Sequence, residues 1–229
     1  MTGTHRETLR TCYRRLARRL GGDTSGVALV EFAFSAPLVL GMGMMGTDTA
    51  MMVVAHMQVS QAAMQVADNA SRIGEQDVLV ARKVYERDVA ETMIGAEKLA
   101  ENINIFGQGR VIVSSLQRNT SGGQWIKWQR CRGAKRYDST NGVEGNGATG
   151  TAFPGMGPAG RRITASAGTA VMFVEVAYDF RSITPMNLFN NQQIIYTAAF
   201  NVRDNRDLNS LYSGGAVASC STYSAARPT

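Results

Sequence analysis

The chain has 229 residues, 44% of them hydrophobic, a formal net charge of +6, three cysteines and two histidines. That length fits one anchored domain with a sizeable core. With only His5 and His56 and no Cys-x-x-Cys pair, there is little from which to assemble a histidine-dependent hydrolase or a zinc centre.

The charge is lopsided. Residues 1–26 carry Arg6, Arg10, Arg14, Arg15, Arg18 and Arg19 against Glu7 and Asp23, so +4 of the +6 lies in this leader. The rest is close to balanced, without the basic footprint of a nucleic-acid binder, and no nucleic-acid partner is expected. Residues 27–47 hold a single charge, Glu31. As a helix this segment spans ~31 Å, matching the ~30 Å of a bilayer's hydrocarbon. Gly41, Gly43 and Gly46 suit a membrane helix better than a soluble one, and Pro37 predicts a kink. Cationic residues stay on the cytoplasmic side, so the leader is expected inside and the bulk of the chain outside, after a single pass through the cytoplasmic membrane. Two other readings compete: a buried core helix, and the apolar region of an ordinary secretory signal, cut near Gly41-Met42-Gly43 or Thr47-Asp48-Thr49. Ordinary signal cores do not open with a glutamate. An ionised group in such a segment costs about 2.5–3.5 kcal/mol at a helix centre, so its placement needs a reason.

Gly26, the apolar residues Val27, Ala28, Leu29 and Val30, then Glu31 and Phe32, together resemble a class III prepilin signal. This is the type used by Flp/Tad (type IVb/IVc-like) pili: a basic leader, a glycine, four mostly apolar residues, Glu followed by Tyr or Phe, then an apolar helix. The stretch VEFAFSAPL at 30–38 is similar to TadE-like minor pilins, or pseudopilins, which continue into an extracytoplasmic domain. The tracts at 174–185 and 194–198 are similar to the paired strands near that family's end. The resemblance implies cleavage by a prepilin peptidase between Gly26 and Val27. It also implies pairing of Glu31 with the new α-amine of Val27, from its own or an adjacent subunit. Phe32 stands where major pilins carry Tyr. The implied partners are the prepilin peptidase, other pilins or pseudopilins through the N-terminal helix, and the inner-membrane assembly platform. The implied role is pilus biogenesis, or a tip or initiation complex supporting adhesion, with the C-terminal domain periplasmic or extracellular. No enzymatic activity, catalytic residue, metal or cofactor is expected. Such cleavage removes Cys12 and leaves Cys131 and Cys220 as an even pair. They read either as a bridge between a strand and the tail in an oxidising compartment or as two free thiols.

Residues 48–105 read as mostly helical. Ala50, Val53, Val54, Met57 and Met64 form an apolar stripe that continues past the membrane. Seven of the twelve methionines lie between Met42 and Met64, which suits plain apolar packing or an adaptable helix–helix surface. Gly74 interrupts. A second helix is predicted over 76–104, with Val78, Tyr85, Val89, Met93, Leu99 and Ile103 on one face. Arg82, Lys83, Glu86, Arg87 and Glu97 lie on a face read as solvated, and Gly95 weakens the helix.

From residue 106 the period changes. Strands are predicted at 110–117 and 125–131, joined as a hairpin through the Gly-rich turn at 119–123. Asn119-Thr120-Ser121, a glycosylation-type tripeptide, is read as chance. Residues 132–168 are glycine-rich and read as a long surface loop. The pattern at Gly145, Gly147 and Gly150 matches a dinucleotide motif, but no strand precedes it and no helix pattern follows. Trp125, Lys127, Trp128, Arg130, Arg132, Lys135 and Arg136 read as alternating strand faces, or else as a polyanion- or glycan-binding surface. A third strand at 169–181 sets Val171, Phe173 and Glu175 against Met172, Val174, Val176 and Tyr178. Residues 187–191 connect it to a fourth at 192–202. The expected fold is α+β: a transmembrane helix extended into an amphipathic stalk, then a helix packed on a small antiparallel sheet of about four strands. The expected divisions are a cleaved leader at 1–26, a transmembrane and assembly helix at 27–47, a helical region at 48–105, and a β region at 106–229 ending in the Cys-containing tail. A membrane-anchored binding module outside any pilus and a secreted hydrolase are the alternative functions.

Overall fold

The computed structural model describes residues 25–75 and 80–228, with Arg14, Arg15, Ala17 and Gly21 ahead of them. Most of the leader, Cys12 and Val78 lie outside the described residues. Helix α1 runs from Ser25 to Arg72, and Pro37 sits inside it without ending it. By contacts the chain divides into two units, Met1–Thr47 and Asp48–Thr229.

In the first unit the apolar part of α1 is exposed along its length. Its hydroxyls bond within the helix: Ser35 Oγ donates to the Phe32 carbonyl at 3.3 Å and Thr47 Oγ1 to the Gly43 carbonyl at 2.9 Å. This is how a polar side chain is tolerated where water is absent.

The second unit is built on residues 48–72 of α1. Ala55, Val59, Ala62, Ala63, Val66, Ala67 and Ala70 are buried, a helical repeat of mostly small side chains. The stripe of Val53, Val54, Met57 and Met64 faces outward instead. Small residues let the helix backbone approach its neighbours closely, so alanine, not methionine, occupies the core side. Arg206 closes the helix's C-terminal end, donating to the carbonyls of Ala70 (3.0 Å) and Ile73 (2.7 Å). Burial, with Arg82 nearby, pushes its guanidinium down to about 10.

The second helix is shorter than the pattern suggested: α2 spans Glu86–Leu99. Residues 82–86 are held extended against the tail, through Arg82 N–H to Asn205 (3.0 Å), Tyr212 N–H to Val84 (2.8 Å) and Glu86 N–H to Tyr212 (3.1 Å). The Asp88 carboxylate accepts from the Tyr85 N–H at 2.8 Å and fixes the start. Gly95 does not break α2; its Cα lies where an added methyl group would come within 3.9 Å of Asn69 on α1. A 3₁₀ turn, Glu101–Ile103, and a short helix α3, Ile105–Gln108, follow.

Four antiparallel strands complete the fold: β1 Gly109–Arg118, β2 Gln124–Arg132, β3 Val171–Phe180 and β4 Gln192–Asn201, in the order β2-β1-β3-β4. The register places Val111 opposite Val176, Val113 opposite Val174 and Ser115 opposite Met172. With Tyr178, Phe180 and Ile194 these residues form the face packed with α1, α2 and α3.

The other face is also covered, by the segment between β2 and β3. Leu116, Ile126, Val171 and Phe173 pack with Met156 and Ala165 into a second core. The glycine-rich stretch is therefore an ordered layer, not a surface excursion. It has almost no regular structure, so sheet side chains satisfy its backbone. Asn119 Nδ2 donates to the carbonyls of Gly147 and Gly150, both at 2.7 Å, and its Oδ1 accepts from Gly123 at 2.9 Å. Gln124 brackets Ala165 in the same way, at 3.1 and 2.6 Å. Gly147 has φ +77°, and a side chain there would meet the Gln124 carbonyl at 2.1 Å. Close approach to β2 is what this glycine serves.

Candidate functional site

The residues singled out at the head of α1 all lie in helix and all face outward. Gly26 has nothing within 4 Å of where a side chain would begin. Val27 is 58% exposed and Phe32 70%. Glu31 is exposed and makes no hydrogen bond or ion pair to the described residues. In an apolar helix an ionised carboxylate is costly unless it is paired.

Asp48 is the next acid along the chain and its setting is the opposite. Its side chain is fully buried. It accepts from Ser182 Oγ, from Thr184 Oγ1 at 2.6 Å, and from the Ile183 and Thr184 N–H groups at 3.3 and 3.2 Å. The Ser182 and Thr184 bonds hold its carboxyl below the usual carboxylate range, outweighing desolvation. Nothing in the local sequence marks Asp48 as this hub, because its partners lie more than 130 positions away.

Cys131 and Cys220 are joined by a disulfide, with Cα atoms 4.7 Å apart. Arg110 packs beside it and donates to the carbonyls of Cys220 (2.7 Å), Thr222 (2.9 Å) and Gly133 (3.3 Å), with the Tyr223 ring 4.2 Å from the guanidinium. Burial lowers its pKa. Bridge and arginine together pin the tail to the outer side of β2, where Cys131 N–H also donates to Ala218 at 2.8 Å.

The mixed aromatic and cationic tract is largely consumed by the fold. Arg130 makes a two-pronged pair with Glu86, at 2.8 and 2.5 Å. Arg132 pairs with Glu97 at 2.9 Å and stacks 4.0 Å from the Phe106 ring. Lys135 pairs with Asp179 at 2.5 Å, and Trp128 is buried. Glu86 and Glu97 are thus ties between α2 and β2, not parts of a solvated face. Lys127, the extra residue of a bulge opposite Ser115 and Leu116, lies over Trp125. Asn119 is buried with its amide fully used, so it offers no glycosylation acceptor. Gly145 and Asn146 pair along the edge of β2 through Ile126, at 2.9 Å each, and the Asn146 and Ala148 N–H groups donate within the turn, so these amides are not turned to a phosphate. Among the described residues no three His, Cys, Asp or Glu side chains cluster as a metal site would require.

Glu175 is the fully buried acid of the sheet, whereas Asp179 near the end of β3 is only partly covered. Glu175 lies on the loop-covered face of β3 and accepts from Ser139 Oγ and from Asn141 Nδ2 at 2.7 Å. Burial raises its carboxyl pKa, against the lowering effect of those donors. Asn141 in turn accepts from Gly157 N–H at 2.8 Å. Glu175 therefore organises the covering layer.

One helix long and apolar enough to cross a bilayer, near the N-terminus and with none of its apolar window buried, is consistent with single-pass anchoring of an α+β domain. Residues 26–68 match a family model described as TadE-like protein. That match begins at the glycine ahead of Glu31 and is consistent with a protein associated with the Flp/Tad pilus, a family non-enzymatic in general. No curated protein matched the chain, and no solved structure did.

Proposed function

We propose that the protein is a TadE-like minor pilin or pseudopilin that acts in Flp/Tad pilus biogenesis or in a tip or initiation complex, supporting adhesion. The observation that carries this reading is the family match at 26–68 together with an exposed Glu31, five residues past Gly26, that has no partner among the described residues. A prepilin peptidase cuts between Gly26 and Val27 on the cytoplasmic side of the inner membrane. The freed α-amine of Val27 has a reference pKa of about 8 and is cationic at neutral pH. In a low-dielectric setting that amine and the Glu31 carboxylate each lower the other's desolvation cost. Pairing with an adjacent subunit sets the axial register of neighbouring helices, with Phe32 beside it as the apolar contact. The outward stripe of Val53, Met57 and Met64 lines a groove of about 450 Å³ with His56 and Tyr196. This supports further contact with other pilins or pseudopilins, since methionine adapts to varied neighbours. The assembly platform of the inner membrane is the remaining partner, and the domain beyond Thr47 lies outside the cytoplasm.

A Glu31→Ala variant expressed in the native host tests the proposal. It is expected to insert and be processed at wild-type levels but to lose pili. Normal piliation removes Glu31 from the mechanism.

A further inference from the structure

We infer that the connection between β3 and β4 is a second membrane contact, seating Ile183, Met186 and Leu188 in the lipid interface beside the exit of α1. The inference rests on residues 27–47 spanning the bilayer and adds a lipid-binding surface to that reading. Ile183 is 63% exposed, Met186 41% and Leu188 44%. No Asp, Glu, Lys, Arg or His occurs from Ser182 to Val202, and Arg181 and Arg203 flank the run. Exposed apolar side chains concentrated on one loop mark an interaction surface.

The occupant follows from chain connectivity. Asp48 immediately succeeds the last residue of the apolar segment, and its carboxylate holds the Ile183 and Thr184 N–H groups at 3.3 and 3.2 Å. One aspartate side chain and one hydrogen bond reach about 7 Å. The headgroup layer on each side of the hydrocarbon is about 6 Å thick. With residues 27–47 in the hydrocarbon, Ile183 and Thr184 are therefore held within about one headgroup thickness of the segment's end. The continuous surface there is the bilayer, the same apolar medium that covers residues 27–47.

The loop is preformed for this contact. Asn187 and Asn191 adopt left-handed backbone, at φ 51° and 61°. Asn191 N–H donates to Phe180 at 2.8 Å, and Asn187 N–H to Thr184 at 3.3 Å. Phe189 points inward and packs on the core. The apolar tips thus project from a fixed base, and little ordering is lost on binding. Asn187, Asn190 and Gln192 are exposed between them, where amides can bond to phosphates and water.

The test uses the full chain in vesicles of phosphatidylcholine and phosphatidylglycerol, with and without bromine on the acyl chains near the headgroup. Three variants are compared, each read as its difference from the wild type with its native Trp125 and Trp128: Leu188→Trp in the loop, Leu40→Trp in the apolar helix, and Val217→Trp in the tail. Side chains seated about 5–10 Å into the interface are reached by the quencher, so Leu188→Trp is expected to be quenched at least about twofold more than Val217→Trp and to shift to the blue. Quenching no greater than that of Val217→Trp, with Leu40→Trp strongly quenched, overturns the loop contact and leaves the anchor intact. A blue shift without quenching assigns the loop to a protein neighbour and also overturns it. Leu40→Trp left unquenched overturns the spanning helix itself.

Discussion

The two faces of the sheet are built by different means. One is packed by α1, α2 and α3, with periodic apolar side chains and ion pairs from β2 to α2. The other is packed by the glycine-rich segment, held by side-chain amides and Glu175, with Arg110 and a disulfide fixing the tail at its edge. Regular elements satisfy their own backbones and need only an apolar stripe to dock. An irregular layer must borrow donors and acceptors from the sheet, so its polar side chains are structural in a way their composition conceals.

The largest effect that could break this comparison is loss of the bridge. Cys131→Ser with Cys220→Ser frees a loop closed over 89 positions, for which chain entropy gives about 4–5 kcal/mol. The melting temperature of the variant should fall by about 10–15 °C, while amide protection of α1 and α2 outlasts that of 133–170. Equal loss of protection on both faces would show that they open as one unit. Next, Glu86→Ala removes the two-pronged partner of Arg130, which is 13% exposed at its side chain, and leaves it only Glu144 at 3.0 Å and the Gln129 carbonyl. Breaking such a pair from one side costs about 3 kcal/mol, read as a lower denaturation midpoint at unchanged slope. A cost below about 1 kcal/mol would return the pair to the solvated-face reading.

The smallest effects are the most discriminating, because the two faces respond to pH with opposite sign. On the helix face, burial works to raise the Glu97 pKa, but Arg132 and Arg227 outweigh it and hold it below its ordinary value. Its contribution is present above the unfolded carboxyl pKa and lost as pH falls through the folded one. On the loop face Glu175 is raised by burial, so its contribution is present at low pH and lost as pH rises through the folded pKa. Glu97→Gln should lower the melting temperature by a few degrees at neutral pH and by nothing in acid. Glu175→Gln should gain on the wild type as pH rises above the ordinary carboxyl range of about 4. Parallel pH profiles for the two variants would contradict the contrast.

Much of the first face was legible in the sequence. A single charge in residues 27–47 marks a helix apolar enough to cross a bilayer, and alternation in β3 gives its two faces, with β4 following as its partner. The start of α2 was misplaced because residues 82–86 pair with a tail more than 120 positions away. The buried side of α1 was misjudged because a hydropathy pattern weighs methionine above alanine, while close helix packing favours the smaller side chain. The segment that covers the other face left no periodic trace. Its one sequence signal was Glu175 inside an apolar run, which in a buried strand calls for dedicated donors. Asp48 and Arg110 had no signal of that kind, since each is defined by backbone groups distant in sequence.

In the proposed function Gly26 ends a leader and Val27 starts the working protein. N-terminal sequencing of the protein recovered from host membranes tests it directly. The account predicts a first residue of Val27. A chain beginning at Met1, or near Met44 or Ala50, contradicts it.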